Sequence, residues 1–318
     1  MPQYPSSPSI FTFFTITLTF LICALSSPAV LAQKFRPTSD VEKCSAFVEG
    51  QAFYLLGRTS GDFVLDLSVS WNTSDPAYKK LEGGPSKMDR QACAMINDGE
   101  DLFVVSMGAA YIYNVKSNTW KPFSNANFAL EPSWGLRYFA VTDPETGIIY
   151  LPSGGTDFTG RKLMLSVDIK TETVNTSKSN SYAKYQPVWS TYLKGFVVPT
   201  EDYGLMTFTP SNVTQSSDGW NLLNTIPMAG WIWDCAASAY GGSMIVSFTF
   251  DSDLKTPSTT YIYDVAKQNW KEGPRIPGVE HLRHGSSCAV SGDQFIVWGG
   301  MENETYVNTT RVFNIKTN

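Results

Sequence analysis

Two ten-residue stretches, YIYNVKSNTW at 111–120 and YIYDVAKQNW at 261–270, align without a gap although they lie 150 residues apart. Aromatic and β-branched residues fill the first half of each, turn formers the middle, and a Trp closes it. That order reads as strand, turn, strand. The first half recurs as FVLDL (63–67), LSVDI (165–169) and RVFNI (311–315), which places Asp66, Asn114, Asp168, Asp264 and Asn314 at one register. An Asn or Asp there is expected to bond the backbone of the following turn. A fourth copy, LMTFTP, has lost the mark, and weaker strands are expected to start near Trp71, Trp120, Trp220 and Trp270.

Upstream of each such stretch stands a glycine between two apolar runs: Gly50, Gly99, Gly147, Gly195, Gly242 and Gly292, at steps of 49, 48, 48, 47 and 50. Glycine supplies the positive φ of tight hairpins. The runs before it (CSAFV, CAMI, YFAVT, PVWST, CAASAY, CAVS) and after it (AFYLLG, LFVVSMG, IIYLPSGG, GFVVPTE, MIVSFTF, FIVWGG) are β-rich. Four short antiparallel strands repeated six times define an all-β fold, a six-bladed β-propeller of four-stranded blades. Neighbouring blades must then bury both apolar faces of each sheet. The blades are expected near 44–82, 91–128, 137–180, 185–228, 234–275 and 284–318, within one domain at 33–318. In that register the last Trp would fall beyond Asn318, so the last blade either is incomplete or is closed by the N-terminal segment near KFRPTSD.

With 24 basic and 29 acidic residues the net charge is −5, and no Lys/Arg run occurs, which argues against a nucleic-acid partner. Residues 10–25 are apolar, small residues follow, and Val30 and Ala32 flank a signal-peptidase site before Gln33, so 1–32 reads as a signal peptide. An uncleaved membrane anchor is the alternative. No second apolar stretch follows in the mature chain. Five N-x-S/T sequons, at Asn72, Asn175, Asn212, Asn303 and Asn308, fit a secreted glycoprotein. Cys44, Cys93, Cys235 and Cys288 sit on first strands; buried free thiols are the preferred reading, disulfides the alternative.

These marks resemble the galactose oxidase/kelch propeller superfamily, and among its members the divergent extracellular, attractin-like propellers. The resemblance rests on the pairs Gly154-Gly155 and Gly299-Gly300 and on Tyr113/Trp120 and Tyr263/Trp270, each Tyr and Trp with six residues between. It implies that the glycine pair turns the backbone after the second strand, and that Tyr and Trp pack between blades with their polar atoms satisfied. It also implies that longer forms carry a membrane segment. Galactose oxidase's copper ligands, two His and two Tyr, have no counterpart, because His281 and His284 lie three apart in one loop. No cofactor and no metal is therefore expected. A site of His281, His284 and Glu280 is a weak signal beside a structural role. SSDGW (216–220) lacks Asp-box spacing, and pairs such as Asp251/Asp253 and Glu100/Asp101 suit solvated turns.

The links between blades and the second-to-third-strand loops are rich in aromatics and charge. Candidate binding residues on that face are Arg90, Trp134, Arg137, Asp157, Phe158, Tyr182, Tyr185, Tyr203, Trp231, Trp233, Asp234, His281, Arg283 and His284. Aromatic plus Arg is the composition of binding hot spots. The expected function is a secreted or cell-surface, non-catalytic module that binds another extracellular protein. A lectin-like glycan binder and an extracellular enzyme are the alternatives.

Overall fold

The computed structural model describes residues 42–48, 50–57, 61–81, 84, 90–106, 109–123, 139–156, 162–178, 186–199, 204–214, 218–225, 231–238, 244–250, 259–275, 283–284, 286–302 and 305–316. The chain divides into two units, Met1–Phe35 and Arg36–Asn318, and everything described lies in the second. The first sheet is β1 (Glu42–Val48), β2 (Ala52–Gly57), β3 (Asp62–Asp66) and β4 (Tyr78–Lys80). The second is β5 (Arg90–Ile96), β6 (Asp101–Ser106), β7 (Ala109–Asn114) and β8 (Thr119–Pro122). The third is β9 (Val141–Thr142), β10 (Ile148–Thr156), β11 (Lys162–Asp168) and β12 (Thr173–Lys178). The fourth is β13 (Val188–Ser190), β14 (Gly195–Pro199), β15 (Gly204–Val213) and β16 (Asp218–Thr225). The fifth is β17 (Trp231–Ser238), β18 (Met244–Phe250), β19 (Thr259–Asp264) and β20 (Asn269–Arg275). In all five, sequence order is spatial order and every pairing is antiparallel.

After the fifth sheet the four-strand expectation fails. Between β21 (Arg283–His284) and β24 (Met301–Glu302) come β22 (Ser287–Ser291) and β23 (Gln294–Trp298), and β25 (Thr305–Tyr306) and β26 (Thr310–Asn314) follow. They form two three-stranded sheets, β22-β23-β26 and β21-β24-β25. The first has the order of the earlier sheets without an outer strand. The second grows from the loop after β23: Gly299 and Gly300, at φ 66° and 94°, swing the chain out of the strand direction. Gly154 and Gly155 behave differently, lying inside β10, where the pairing with β11 shifts register between Leu151 and Gly155. The N-terminal closing segment falls outside the described residues.

Packing explains the long apolar runs. In β2, Tyr54 and Leu56 pack against Cys93, Leu102 and Val104 of the second sheet. The alternate residues, Phe53 and Leu55, pack against Ala289, Ile296 and Trp298 of the last. Four more clusters join the second sheet to the third, the third to the fourth, the fourth to the fifth, and the fifth to β22-β23-β26. Second strands such as β2, β6 and β23 are thus buried on both faces, and the cluster between the first and last sheets closes the ring. This is a β-propeller of small antiparallel sheets.

Local chemistry follows the repeat. Gly50, Gly99, Gly147 and Gly292 take positive φ at the first hairpin. In the fourth sheet the left-handed position falls on Lys194 (φ 48°), and Gly195 serves another need, since a Cβ there would collide with the Phe208 carbonyl. The Asn/Asp expectation holds at all five positions. The Oδ1 atoms of Asp66, Asn114, Asp168, Asp264 and Asn314 accept backbone N–H bonds from Ser68, Ser117, Lys170, Lys267 and Lys316. Tyr113 and Trp120 pack as tilted rings with centroids 4.9 Å apart, Tyr263 and Trp270 likewise at 4.7 Å. The Tyr113 hydroxyl donates to Asn118 at 2.9 Å, whereas the buried Trp120 indole N–H has no partner among the described residues.

The cysteines correct the free-thiol reading. Cys44 meets Cys93 and Cys235 meets Cys288 as disulfide pairs, each with a Cα separation of 5.8 Å. Each pair ties the innermost strand of one sheet to that of the next, β1 to β5 and β17 to β22.

Candidate functional site

The innermost strands leave a cavity of about 500 Å³ at one mouth of the central channel. Ala46, Cys93, Val141, Val188, Ala237 and Cys288, from β1, β5, β9, β13, β17 and β22, all line it. So do the first-to-second-strand turns at Asn97–Gly99 and 143–147, together with Lys170 and Thr191. Antiparallel order puts those turns on one face of the ring and the inter-sheet links on the other. The cavity therefore opens on the turn face, opposite the face that the sequence singled out.

Pairing identifies equivalent inner-strand residues. Phe47, Met95, Thr142 and Trp189 face Phe53, Leu102, Ile149 and Phe196 across the first hairpin of four successive sheets. All four line the cavity and all are half-buried. Thr142 Oγ1 donates to the Met95 carbonyl at 2.6 Å, stitching β9 to β5. Trp189 lies nearly parallel to Tyr150, with ring centroids 6.4 Å apart. The outcome is a crescent of two aromatics, a thioether and a hydroxyl already engaged.

The charged groups at the mouth are three carboxylates, Asp98, Asp143 and Glu145, against one ammonium, Lys170. Asp143 is buried and accepts bonds from the Glu145 and Thr146 backbone and from Thr146 Oγ1, so it builds its own turn. Glu145 pairs with Lys194 at 3.3 Å in the open. Asp98 is exposed in a turn where Asn97, Asp98 and Gly99 all take left-handed φ, of 50°, 52° and 87°. Asn97 Nδ2 pins that turn by donating to Asp101 Oδ2 at 2.7 Å. Further out, Tyr54 and Tyr150 are pushed up to about 12, chiefly by burial. Among the described residues, no group of three His, Cys, Asp or Glu could hold a metal ion, and no helix is long and apolar enough to cross a membrane.

The described sequence candidates do not line this cavity. Arg90 opens β5; Trp231, Trp233 and Asp234 lie in β17, whose pairing with β18 shifts register between Trp233 and Cys235. Arg283 and His284 form β21 and pair with Glu302 and Met301, rather than leading directly into an innermost strand. Trp134, Arg137, Asp157, Phe158, Tyr182, Tyr185, Tyr203 and His281 lie outside the described residues. Of the sequons, Asn72, Asn175, Asn212 and Asn308 are exposed, and Asn303 is outside the described residues. Sequence reasoning missed the crescent. Its members stand three, four, five and six residues before Gly50, Gly99, Gly147 and Gly195, so no fixed spacing in the sequence marks them; only the strand pairing does.

No protein-family model matches the chain, and no curated protein matches it. Solved structures do. One titled "Structure of YjhT" superposes with a TM-score of 0.59 at 13% identity, covering 89% of this chain and 97% of that one. A structural-genomics protein of unknown function from Bacteroides thetaiotaomicron VPI-5482 gives 0.54 at 9% identity, covering 86% and 70%. At such identities the likeness shows the β-propeller fold alone.

Proposed function

We propose that the chain is a secreted or cell-surface, six-bladed kelch-like propeller that binds another protein without catalysing a reaction. The sixth blade is the β22-β23-β26 sheet, and 1–32 acts as the signal peptide. The observation that carries the reading is the half-exposed crescent Phe47, Met95, Thr142 and Trp189 at the channel mouth. Apolar, aromatic concavities on a rigid ring suit association, and the one buried carboxylate beside it is committed to its turn. The inter-sheet cysteine pairs and the exposed sequons fit an oxidising, glycosylating compartment.

The test is expression of the tagged full chain in a eukaryotic secretory line. Release into the medium, an N-terminus at Gln33 and a mass loss on glycosidase treatment are expected. Cell-surface cross-linking should then retain one partner at fixed stoichiometry, lost on Trp189→Ala; Trp231→Ala tests the link face in parallel. Retention of the chain inside the cell overturns the compartment. Absence of any saturable surface partner overturns the binding function.

A further inference from the structure

We infer that the turn-face cavity is a side-chain pocket for a basic, apolar peptide segment: a loop or tail whose bulky apolar residue enters the crescent beside a Lys or Arg. This rests on the protein-binding reading above and names the chemistry of its partner.

Three observations converge. First, the interior is apolar at the level of the crescent. Phe47, Met95 and Trp189 supply carbon and sulfur, and the crescent's own hydroxyl, that of Thr142, is spent on the Met95 carbonyl, while Ser45, Gln186 and Thr191 line the cavity beside it. A sugar ring pressed against Phe47 and Met95 would bury hydroxyls that neither side chain can satisfy, which is costly. An aromatic or branched aliphatic side chain loses nothing on entering, and Met adapts to its shape.

Second, the volume of about 500 Å³ lies in the range of preformed ligand sites. It is more than one large side chain needs, so the flanking backbone of a loop can enter too. The ring around it is rigid, because every inner strand is hydrogen-bonded to its own sheet and two of the joins between sheets are disulfide pairs.

Third, the rim is acidic. Asp98, Asp143 and Glu145 stand at the edge against Lys170, the one cation among the described lining residues, and Lys194 outside the lining pairs with Glu145, so the described groups leave one negative charge in excess. Asp98 is presented by a turn whose three successive left-handed residues interrupt the regularity of the first hairpins. Non-glycine residues rarely hold that conformation, and Asn and Asp tolerate it best. The pinned turn fixes where the Asp98 backbone emerges. A cation beside the apolar anchor would meet these carboxylates in partly excluded water, where charge complementarity sets selectivity and association rate.

The probe is a synthetic peptide, acetyl-Gly-Arg-Trp-Arg-Gly-amide, titrated calorimetrically into the purified full chain at low salt. Saturable one-to-one binding with a dissociation constant below about 1 mM is expected. Replacing the peptide Trp by Ala, or both Arg by Glu, should weaken it at least tenfold, and so should 0.5 M salt. In the protein, Trp189→Ala should abolish binding. The paired exposed changes Asp98→Asn and Glu145→Gln should weaken it about tenfold with an unchanged melting temperature, so a folding defect in the Trp189 variant would not obscure the result. No saturable binding, or binding indifferent to both sets of changes, overturns the inference. Saturable binding of a glycan in an array screen, lost on Trp189→Ala, also overturns it. If a cell-surface partner is captured but survives Asp98→Asn with Glu145→Gln, the pocket chemistry is wrong and the protein-binding reading stands.

Discussion

The Tyr78 phenol and the Thr310 hydroxyl share a buried hydrogen bond of 3.0 Å across 232 residues of sequence. Tyr78 opens β4, the outer strand of the first sheet, and Thr310 opens β26 of the last three-stranded sheet. The bond lies on the seam where the ring closes, beside the cluster of Phe53, Leu55, Phe63, Leu65, Ala289, Ile296 and Trp298. The described strands of the two sheets share no backbone ladder at this seam, so side chains hold it. Removing the phenol oxygen leaves Thr310 with one partner fewer in a buried place. Tyr78→Phe should therefore cost about 1–2 kcal/mol, read as a lower urea midpoint at unchanged m-value. An unchanged midpoint would mean that the seam does not depend on this bond.

The two disulfide pairs flank that seam symmetrically. Cys44–Cys93 anchors the first sheet to the second, and Cys235–Cys288 anchors the fifth to the last. Each closes a loop of about one repeat, with separations of 49 and 53 residues. Chain-entropy arithmetic for such loops gives roughly 4 kcal/mol apiece. Cys93→Ser and Cys288→Ser should each lower stability by up to that amount, and the pair more than either. Non-reducing peptide mapping should find the two cross-linked peptides and no Cys44–Cys288 link. Four free thiols in the native chain would overturn the pairing.

How much of this was legible depended on distance in sequence. The hairpin glycines and the Asn/Asp turns were legible because their physics is local: a left-handed φ, or an Oδ1 reaching a backbone N–H two or three residues on. The first sheet's outer strand was misplaced for a local reason too. Trp71 promised a strand, but Asn72 Oδ1 accepts bonds from Ser74 Oγ and the Asp75 N–H, and the loop runs on until Tyr78. The disulfides turn on the gap between neighbouring sheets, which composition does not encode. A Cys separation near one repeat length was the available clue. The crescent was illegible because Phe, Met, Thr and Trp share no chemistry, only a position in the pairing.

Glycine substitutions separate two kinds of constraint. At Gly50 the backbone sits at φ 68° with open space around it, so Gly50→Ala meets only the left-handed penalty of about 1–2 kcal/mol. At Gly195 the φ is ordinary, but a Cβ would strike the Phe208 carbonyl across the β14–β15 pairing. Neither strand can move, because Phe196 and Phe208 sit in the cluster that joins the third and fourth sheets. Gly195→Ala should cost more than Gly50→Ala in parallel thermal melts. The reverse order would show that the fourth sheet yields more readily than its packing implies.

Titration should narrow the stable pH range from both ends. Burial, reinforced by the charges of Tyr113 and Asp66 beside Tyr54 and of Asp143 beside Tyr150, raises those phenols from 10.0 to about 12. Above about 10 the unfolded chain releases two protons that the folded chain keeps, so stability falls as pH rises toward 12. At the acid end, Asp66 is held below the usual carboxylate range, first by the hydrogen bond from Lys79 and then by those from Ser68. Its folded form binds fewer protons than its unfolded form in that interval, so its contribution is complete above the carboxylate range and fades as pH falls through it. Urea midpoints across pH should show both limbs. Tyr54→Phe should flatten the alkaline limb and Asp66→Asn the acid one. Phenolate absorbance gives an independent check: a fraction of the 15 tyrosines should stay un-ionised at pH about 11 until denaturant is added. If all of them ionise together near 10 in the folded chain, Tyr54 and Tyr150 are not buried as the packing between sheets requires.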